Sequence, residues 1–189
     1  MNFETLLNMF SAEDLKKLSV LGFLGYAGMS VVILFMELFH FSGLVFLAEL
    51  ARLLILLAIG FLFLMLFIKE HNTMDLALGG AILFGTCISF LAALIGISNI
   101  YFVAAFTEFF NSLFFLVLAV RVRPKNQMFF LLCVCAFLYC AFAGPFVAVL
   151  FKTKFFLRTR GFWMFLKNCG YVVSAGIAAI SCKLMQMGE

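Results

Sequence analysis

Apolar residues dominate this chain in six long segments that are separated by short polar stretches. The segments are residues 18–38, 44–68, 76–97, 100–120, 128–151 and 162–182. Each is long enough to cross the hydrocarbon core of a bilayer, which takes ~20 helical residues. Backbone groups in lipid must be paired within their own element, and the sequence lacks the alternating ten-residue strands of a membrane β-barrel. We therefore predict an all-α, polytopic transmembrane bundle of about six spans, formed by one domain over residues 1–189.

The residues before the first apolar segment form a lead-in over positions 1–17. Apolar residues recur there at helical spacing, with polar residues between them: Phe3, Leu6, Leu7 and Phe10. This pattern predicts a short amphipathic helix at the membrane interface. Ser11 and Asp14 stand three apart, as in a capping box, and predict a helix start at Ser11. The acidic beginning, without a small-residue cleavage site, argues against a cleavable signal peptide.

The composition agrees with a membrane environment. Hydrophobic residues make up 66% of the 189 positions and charged residues 12%, and the mean hydropathy is +1.20. Soluble domains carry about a quarter charged residues, so these values exclude an ordinary water-soluble fold. The net charge of +4 is concentrated in short loops, which is typical of membrane topology signals rather than of nucleic-acid binding.

Basic residues indicate how the predicted spans are oriented. Six spans place the N-terminus, the 69–75 loop, the 121–127 loop and the C-terminus on one side. That side carries seven basic residues: Lys16, Lys17, Lys69, Arg121, Arg123, Lys125 and Lys183. The other side carries five: Lys152, Lys154, Arg158, Arg160 and Lys167. Seven against five favours both termini in the cytoplasm, or in the matrix or stroma of an organelle. Because both sides carry basic loops, the alternative is that the segment 155–166 lies in the interface and that the chain has five spans.

No motif in the sequence identifies a catalytic, metal-binding or cofactor-binding site. All six cysteines lie inside apolar segments, where they serve as small packing residues. His40 and His71 lie at segment ends on opposite sides, so they cannot form a bis-histidine haem site. The sequence also lacks clustered metal ligands, a Gly-rich phosphate loop and a nucleophile in a recognisable setting. We therefore expect no cofactor, no metal, no catalytic residue and no nucleic-acid partner.

Small residues recur at three- or four-residue spacing along several segments. They are Gly22, Gly25 and Gly28; Gly85, Ser89 and Ala93; Ala136, Cys140, Gly144 and Ala148; and Gly170, Ser174 and Ala178. Such stripes let helix backbones approach closely in lipid. We expect them to pack inside the bundle; the alternative is that one stripe packs against another subunit. Pro145, inside the fifth segment, is expected to kink or break its helix.

Polar residues within two apolar segments form the candidate site. Glu49 and Arg52 are three apart, so they share a helix face and can pair. Glu108 lies ~13 Å into the fourth segment, at the same depth as Arg52, given a rise of 1.5 Å per residue. Asn111 lies one turn further along. Charges at this depth are costly and are usually paired or directed at an aqueous cavity.

Two interpretations of these residues remain. In the first, Glu49, Arg52, Glu108 and Asn111 form a structural ion-pair network between the second and fourth helices. In the second, they line a polar pocket that serves an ion, a proton, a lipid or a small ligand. The loop with Lys152, Lys154, Arg158 and Arg160 could then attract an anionic lipid to the mouth of that pocket.

Taken together, the patterns favour a non-catalytic integral membrane protein that is a subunit, an accessory or an assembly component of a larger membrane complex. Its expected partners are membrane lipids and other membrane proteins, in a homo- or hetero-oligomer. The alternative is a small oligomeric transporter or channel with a polar pocket between spans two and four. A lipid-modifying enzyme is a third class, which no specific motif favours.

Overall fold

A computed structural model gives the fold of most of the chain. It describes the backbone over residues 9–39, 41–95, 100–150 and 154–186. Side chains are described over residues 9–36, 38–39, 41, 44–45, 47–91, 109–142 and 165–184.

The described backbone is all-helical. It forms six α-helices and no strand: α1 (Ala12–Leu38), α2 (Ser42–Glu70), α3 (Thr73–Ile95), α4 (Ile100–Val122), α5 (Gln127–Leu150) and α6 (Lys154–Gln186). Each apolar segment of the sequence overlaps one of these helices. The predicted interfacial helix falls largely on residues 1–8, which lie outside the described part of the chain.

The start of α1 is the predicted capping box. The Asp14 N–H donates to Ser11 Oγ at 3.1 Å, and the Ser11 N–H donates to Asp14 Oδ2 at 3.0 Å. Two backbone N–H groups that the first helical turn leaves without partners are satisfied in this reciprocal way. The capping-box prediction is therefore confirmed.

A tight turn joins α2 to α3. His71 ends α2 in the left-handed conformation, with φ at 52°, and its N–H donates to Phe67 O at 2.7 Å. Asn72 then accepts the N–H of Met74 on its side-chain oxygen at 3.0 Å, in an Asx turn. Because only two residues separate the helices, the last turn of α2 and the first turn of α3 lie close together.

The six helices close into a ring around an aromatic centre. Each helix packs against the next one in sequence, while α6 packs along α1 and also contacts α4 and α5. Three rings from three different helices meet inside: Phe114 lies 5.5 Å from Phe23 and 6.3 Å from Phe63 between centroids. Both α1 and α6 therefore border the same interior as the middle of the chain.

Four of the helices are long and apolar enough to cross a membrane within the described residues. These stretches are Ala12–Met36, Leu47–Glu70, Thr73–Leu91 and Phe165–Leu184. Two shorter apolar stretches lie in α4 and α5, at Phe109–Val122 and Gln127–Phe142. Large apolar side chains such as Leu54, Phe84 and Phe142 are exposed on the outside of the bundle, as expected of a surface that faces lipid.

Among the described residues, most members of the small-residue stripes lie at helix contacts inside the bundle, whereas Gly25 and Gly28 face outward. On α6, Gly170 lies against the Tyr139 ring of α5, and a Cβ there would come within 2.1 Å of the Tyr139 hydroxyl oxygen. Ala178 and Ala136 are buried at 1% and 4% exposure. A Cβ on Gly22 would meet the Ile59 side chain at 2.7 Å. These positions follow the expectation of close intramolecular packing.

The structure bears on two sequence expectations about helix continuity. α5 continues through Pro145, so the helix is not broken there, whereas a kink at Pro145 stays a prediction. α6 begins at Lys154, so the predicted basic loop over 152–160 is helical from Lys154 onward, and Lys152 lies outside the described residues. The side chains of Arg158 and Arg160 also lie outside them, and their predicted contact with anionic lipid stays a prediction.

Candidate functional site

Glu49 and Arg52 form an ion pair on the inner side of α2. An Arg52 Nη2 donor contacts Glu49 Oε2 across one helical turn. Arg52 is only 6% exposed, so its charge is largely removed from solvent or lipid. A buried charge of this kind is tolerated only with a partner, and Glu49 supplies one from the same helix.

The other described neighbours of Arg52 come from α1 and α6. Its second terminal nitrogen donates to Asn168 Oδ1 at 3.3 Å. Its guanidinium carbon lies 4.6 Å from the centre of the Tyr171 ring and 5.6 Å from that of Tyr26. The planar cation is thus held by a carboxylate, an amide and two ring faces. Arg52 therefore ties three helices together.

The structure describes the two predicted pocket residues of α4 only in part. Glu108 lies on α4, and its side chain is outside the described residues. Asn111 lies on the same helix and is partly buried. The proposed link from Arg52 to Glu108 therefore stays a prediction, whereas Asn168, Tyr26 and Tyr171 are neighbours of Arg52 that the sequence reasoning missed.

A second polar cluster, which the sequence reasoning also missed, lies at the end of the bundle where α1 begins. Asp75 in the first turn of α3 accepts a hydrogen bond from Arg121 Nη1 at the end of α4, and the two form an ion pair. Asp75 has 0% exposure. Beside it, Lys16 on α1 pairs with Glu70 on α2 at 2.7 Å. Two cations and two anions from four helices meet here.

This cluster borders a small space between the helices. The cavity, of about 20 Å³, is lined by Lys16, Ser19, Phe63, Leu66, Asp75, Arg121 and Cys182. Cys182 brings α6 to the same place, and nearby Cys133 Sγ lies 3.5 Å from Ser181 Oγ between α5 and α6. Every helix of the bundle therefore reaches this end through a polar or thiol side chain.

The sequence pattern predicts that Asp75 lies in the 69–75 loop and Arg121 in the 121–127 loop, whereas the structure places both residues in helices. Their pairing could have been found by combining charge with topology: α3 and α4 are antiparallel neighbours, so the start of one and the end of the other lie at the same level. An acidic first turn and a basic last turn then face each other. The sequence therefore contains the two opposite charges, but their pairing can be predicted only if both helices are known to extend past the predicted segment ends.

A separate groove lies at the turn between α4 and α5. It is open, has a volume of about 590 Å³, and is lined by Arg123, Pro124, Gln127, Phe130 and Leu131. The Arg123 guanidinium carbon lies 5.7 Å from the centre of the Phe130 ring. Among the described residues, no group of three or more His, Cys, Asp or Glu side chains could hold a metal ion.

Comparison with known proteins adds no assignment to this geometry. No protein-family model matches the chain, and no curated protein or solved structure matches it.

The Asp75–Arg121 pair yields a prediction about stability. Asp75→Asn or Arg121→Gln alone should lower the free energy of unfolding by about 3 kcal/mol, because each leaves one buried group without its partner. The double variant should lose less than the sum of the two. Unfolding by SDS titration in bicelles measures this coupling. Lys17→Gln, at the exposed Lys17–Glu13 pair, is the control and should leave stability unchanged. Strict additivity of the two changes would show that the pair does not hold the bundle.

Arg52 yields a second prediction. Arg52→Lys keeps the charge but loses the planar group that lies between two tyrosine rings and donates to two partners. We expect the free energy of unfolding to fall by about 2 kcal/mol. The same substitution at exposed Arg123 should have little effect. If Arg52→Lys and Arg123→Lys are equally stable, Arg52 stabilises the bundle through its charge alone and not through the contacts of its planar group.

Proposed function

We propose that this chain is a non-catalytic helical component of a larger membrane assembly. The observation that carries the proposal is an outward-facing line of residues on α1, here called the α1 seam: Leu21, Gly25, Gly28, Val32 and Phe35. The line lies on the outer side of the bundle, away from the helices that α1 contacts.

The α1 seam has the spacing and the shape that suit another transmembrane helix. Its members follow one another at intervals of four, three, four and three residues, the repeat of a helix–helix seam. Leu21, Val32 and Phe35 are 61%, 42% and 54% exposed. A Cβ on Gly25 or Gly28 would meet nothing within 4 Å. Apolar residues therefore flank a shallow gap at two glycines, which allows close backbone approach in lipid.

The paired charges and the small cavity of the interior favour a role in assembly rather than in transport. Where side chains are described, the buried charges form pairs, Arg52 with Glu49 and Asp75 with Arg121. The cavity beside Asp75 has a volume of about 20 Å³, which is room for a water molecule rather than for a hydrated ion or an organic substrate. Charges that hold helices together leave little net charge for a moving ligand.

We further propose that all six helices span the membrane, with both termini on the cytoplasmic side. α4 and α5 contain 23 and 24 residues, so each is ~35 Å long at 1.5 Å per residue, and the hydrocarbon core is ~30 Å thick. Lys16 at the start of α1 and Cys182 near the end of α6 line one cavity, as an even number of crossings requires.

The six-span arrangement can be tested with single added cysteines and a membrane-impermeant maleimide. Lys125→Cys, in the turn between α4 and α5, should be labelled from the same side as His71→Cys and from the side opposite to Phe41→Cys. The unmodified chain, whose own cysteines lie in apolar segments, gives the background. If α4 and α5 do not cross, Lys125→Cys will be labelled from the same side as Phe41→Cys.

The assembly role can be tested by placing a photo-crosslinking amino acid at Val32, in native membranes. We expect a discrete protein adduct from this position, because a helix of another chain lies on the seam. The same group at Leu54, which is exposed on α2, is the control and should yield lipid adducts. An adduct with twice the mass of the chain identifies a second copy as the occupant.

A second pair of variants separates a specific contact from chance collision. Gly25→Leu together with Gly28→Leu fills the gap and should abolish the Val32 adduct without lowering stability, since both sites are open and Leu favours helix more than Gly. Ala58→Leu, at an exposed position on α2, should leave the adduct intact. Lipid adducts alone at Val32, or adducts that the glycine variants do not change, would overturn the proposal.

A further inference from the structure

The small cavity near the start of α1 is lined by a carboxylate whose second oxygen has no partner in the part of the chain that the structure describes. Arg121 contacts Asp75 Oδ1. Asp75 Oδ2 is buried and has no hydrogen-bond partner among the described residues. Asp75 lines the cavity and has 0% exposure. A buried acceptor left in this state destabilises the folded protein, so an occupant that donates a hydrogen bond is favoured there.

The volume and the charge of the cavity restrict what that occupant is. At about 20 Å³, the cavity exceeds the ~10–15 Å³ that one water molecule requires. Lys16 and Arg121 both line it and oppose a metal cation. An anion is opposed by Asp75, whose Oδ2 needs a donor. A small neutral molecule with both donors and acceptors fits these conditions.

We propose that one water molecule occupies this cavity and donates a hydrogen bond to Asp75 Oδ2. Its second hydrogen is accepted by Ser19 Oγ, whose own proton is donated to Leu15 O at 2.9 Å, which leaves the lone pairs of the hydroxyl oxygen to accept. The water oxygen accepts from an N–H of Arg121 or Lys16, both of which line the cavity. A water with three or four such bonds meets the usual requirement for a buried site.

The water molecule joins α1 to the pair formed by α3 and α4. Ser19 and Leu15 belong to α1, whereas Asp75 and Arg121 belong to α3 and α4. The bridge thus extends the ion pair across the interior by one hydrogen-bonded link. This site does not depend on the assembly role proposed above, and either can fail without the other.

The test uses the two aspartates of the chain, Asp14 and Asp75. The full-length protein, labelled with ¹³C-aspartate and reconstituted in liposomes, gives two carboxylate signals in solid-state NMR. Asp14 is exposed and serves as the positive control for magnetisation transfer from water. We expect Asp75 to receive transfer from water as well, although it is fully buried. Transfer to Asp14 without transfer to Asp75 would overturn the proposal.

A cavity-filling variant locates the water. Cys182→Val adds about the volume of one water molecule at the cavity wall and should remove the transfer to Asp75 while leaving that to Asp14 unchanged. Cys87→Val, at an exposed cysteine, is the matched control and should leave both signals as they are. Transfer to Asp75 that persists in Cys182→Val would show that its water lies elsewhere. The measurement on the unmodified chain decides the proposal even if Cys182→Val fails to fold.

Discussion

A charged side chain inside a bilayer needs its counter-charge within reach, and this constraint shapes both polar clusters of the bundle. Arg52 meets it with Glu49 one turn away, and Asp75 meets it with Arg121 on the neighbouring helix. In low dielectric surroundings each pair is strong, and each unpaired member would be costly. Because Asp75 and Arg121 lie on different helices, α3 and α4 are restricted to arrangements in which the two side chains meet, whereas the Glu49–Arg52 pair forms within α2 alone.

The helices could be predicted from the sequence because the signals for them are local. Long apolar runs specify a helix in lipid, since no other element satisfies its own backbone there. The reciprocal bonds of Ser11 and Asp14 depend on residues three apart, so the capping box could be identified before any fold was known. Helix ends were less accurate: the charged turns around Asp75 and Arg121 belong to helices, although their charges suggested loops.

The partners of the buried charges could not be predicted in the same way. Glu49 was identified because it is one turn from Arg52, whereas Asn168 and Tyr171 are more than a hundred residues away and are brought to Arg52 by the packing of α6 along α1. No periodicity in one segment contains that information. Equal depth in the membrane predicts Glu108 as a further partner of Arg52, and that link stays a prediction because the Glu108 side chain lies outside the described residues.

The sequence distance between Arg52 and its α6 partners has a consequence for biogenesis. α2 is synthesised and can leave the translocon long before Asn168 and Tyr171 exist. Glu49 lies on the same helix as Arg52, so α2 carries a counter-charge for its cation before α6 has been made. The amide and aromatic contacts of Arg52 with α6 can form only after α6 has packed along α1.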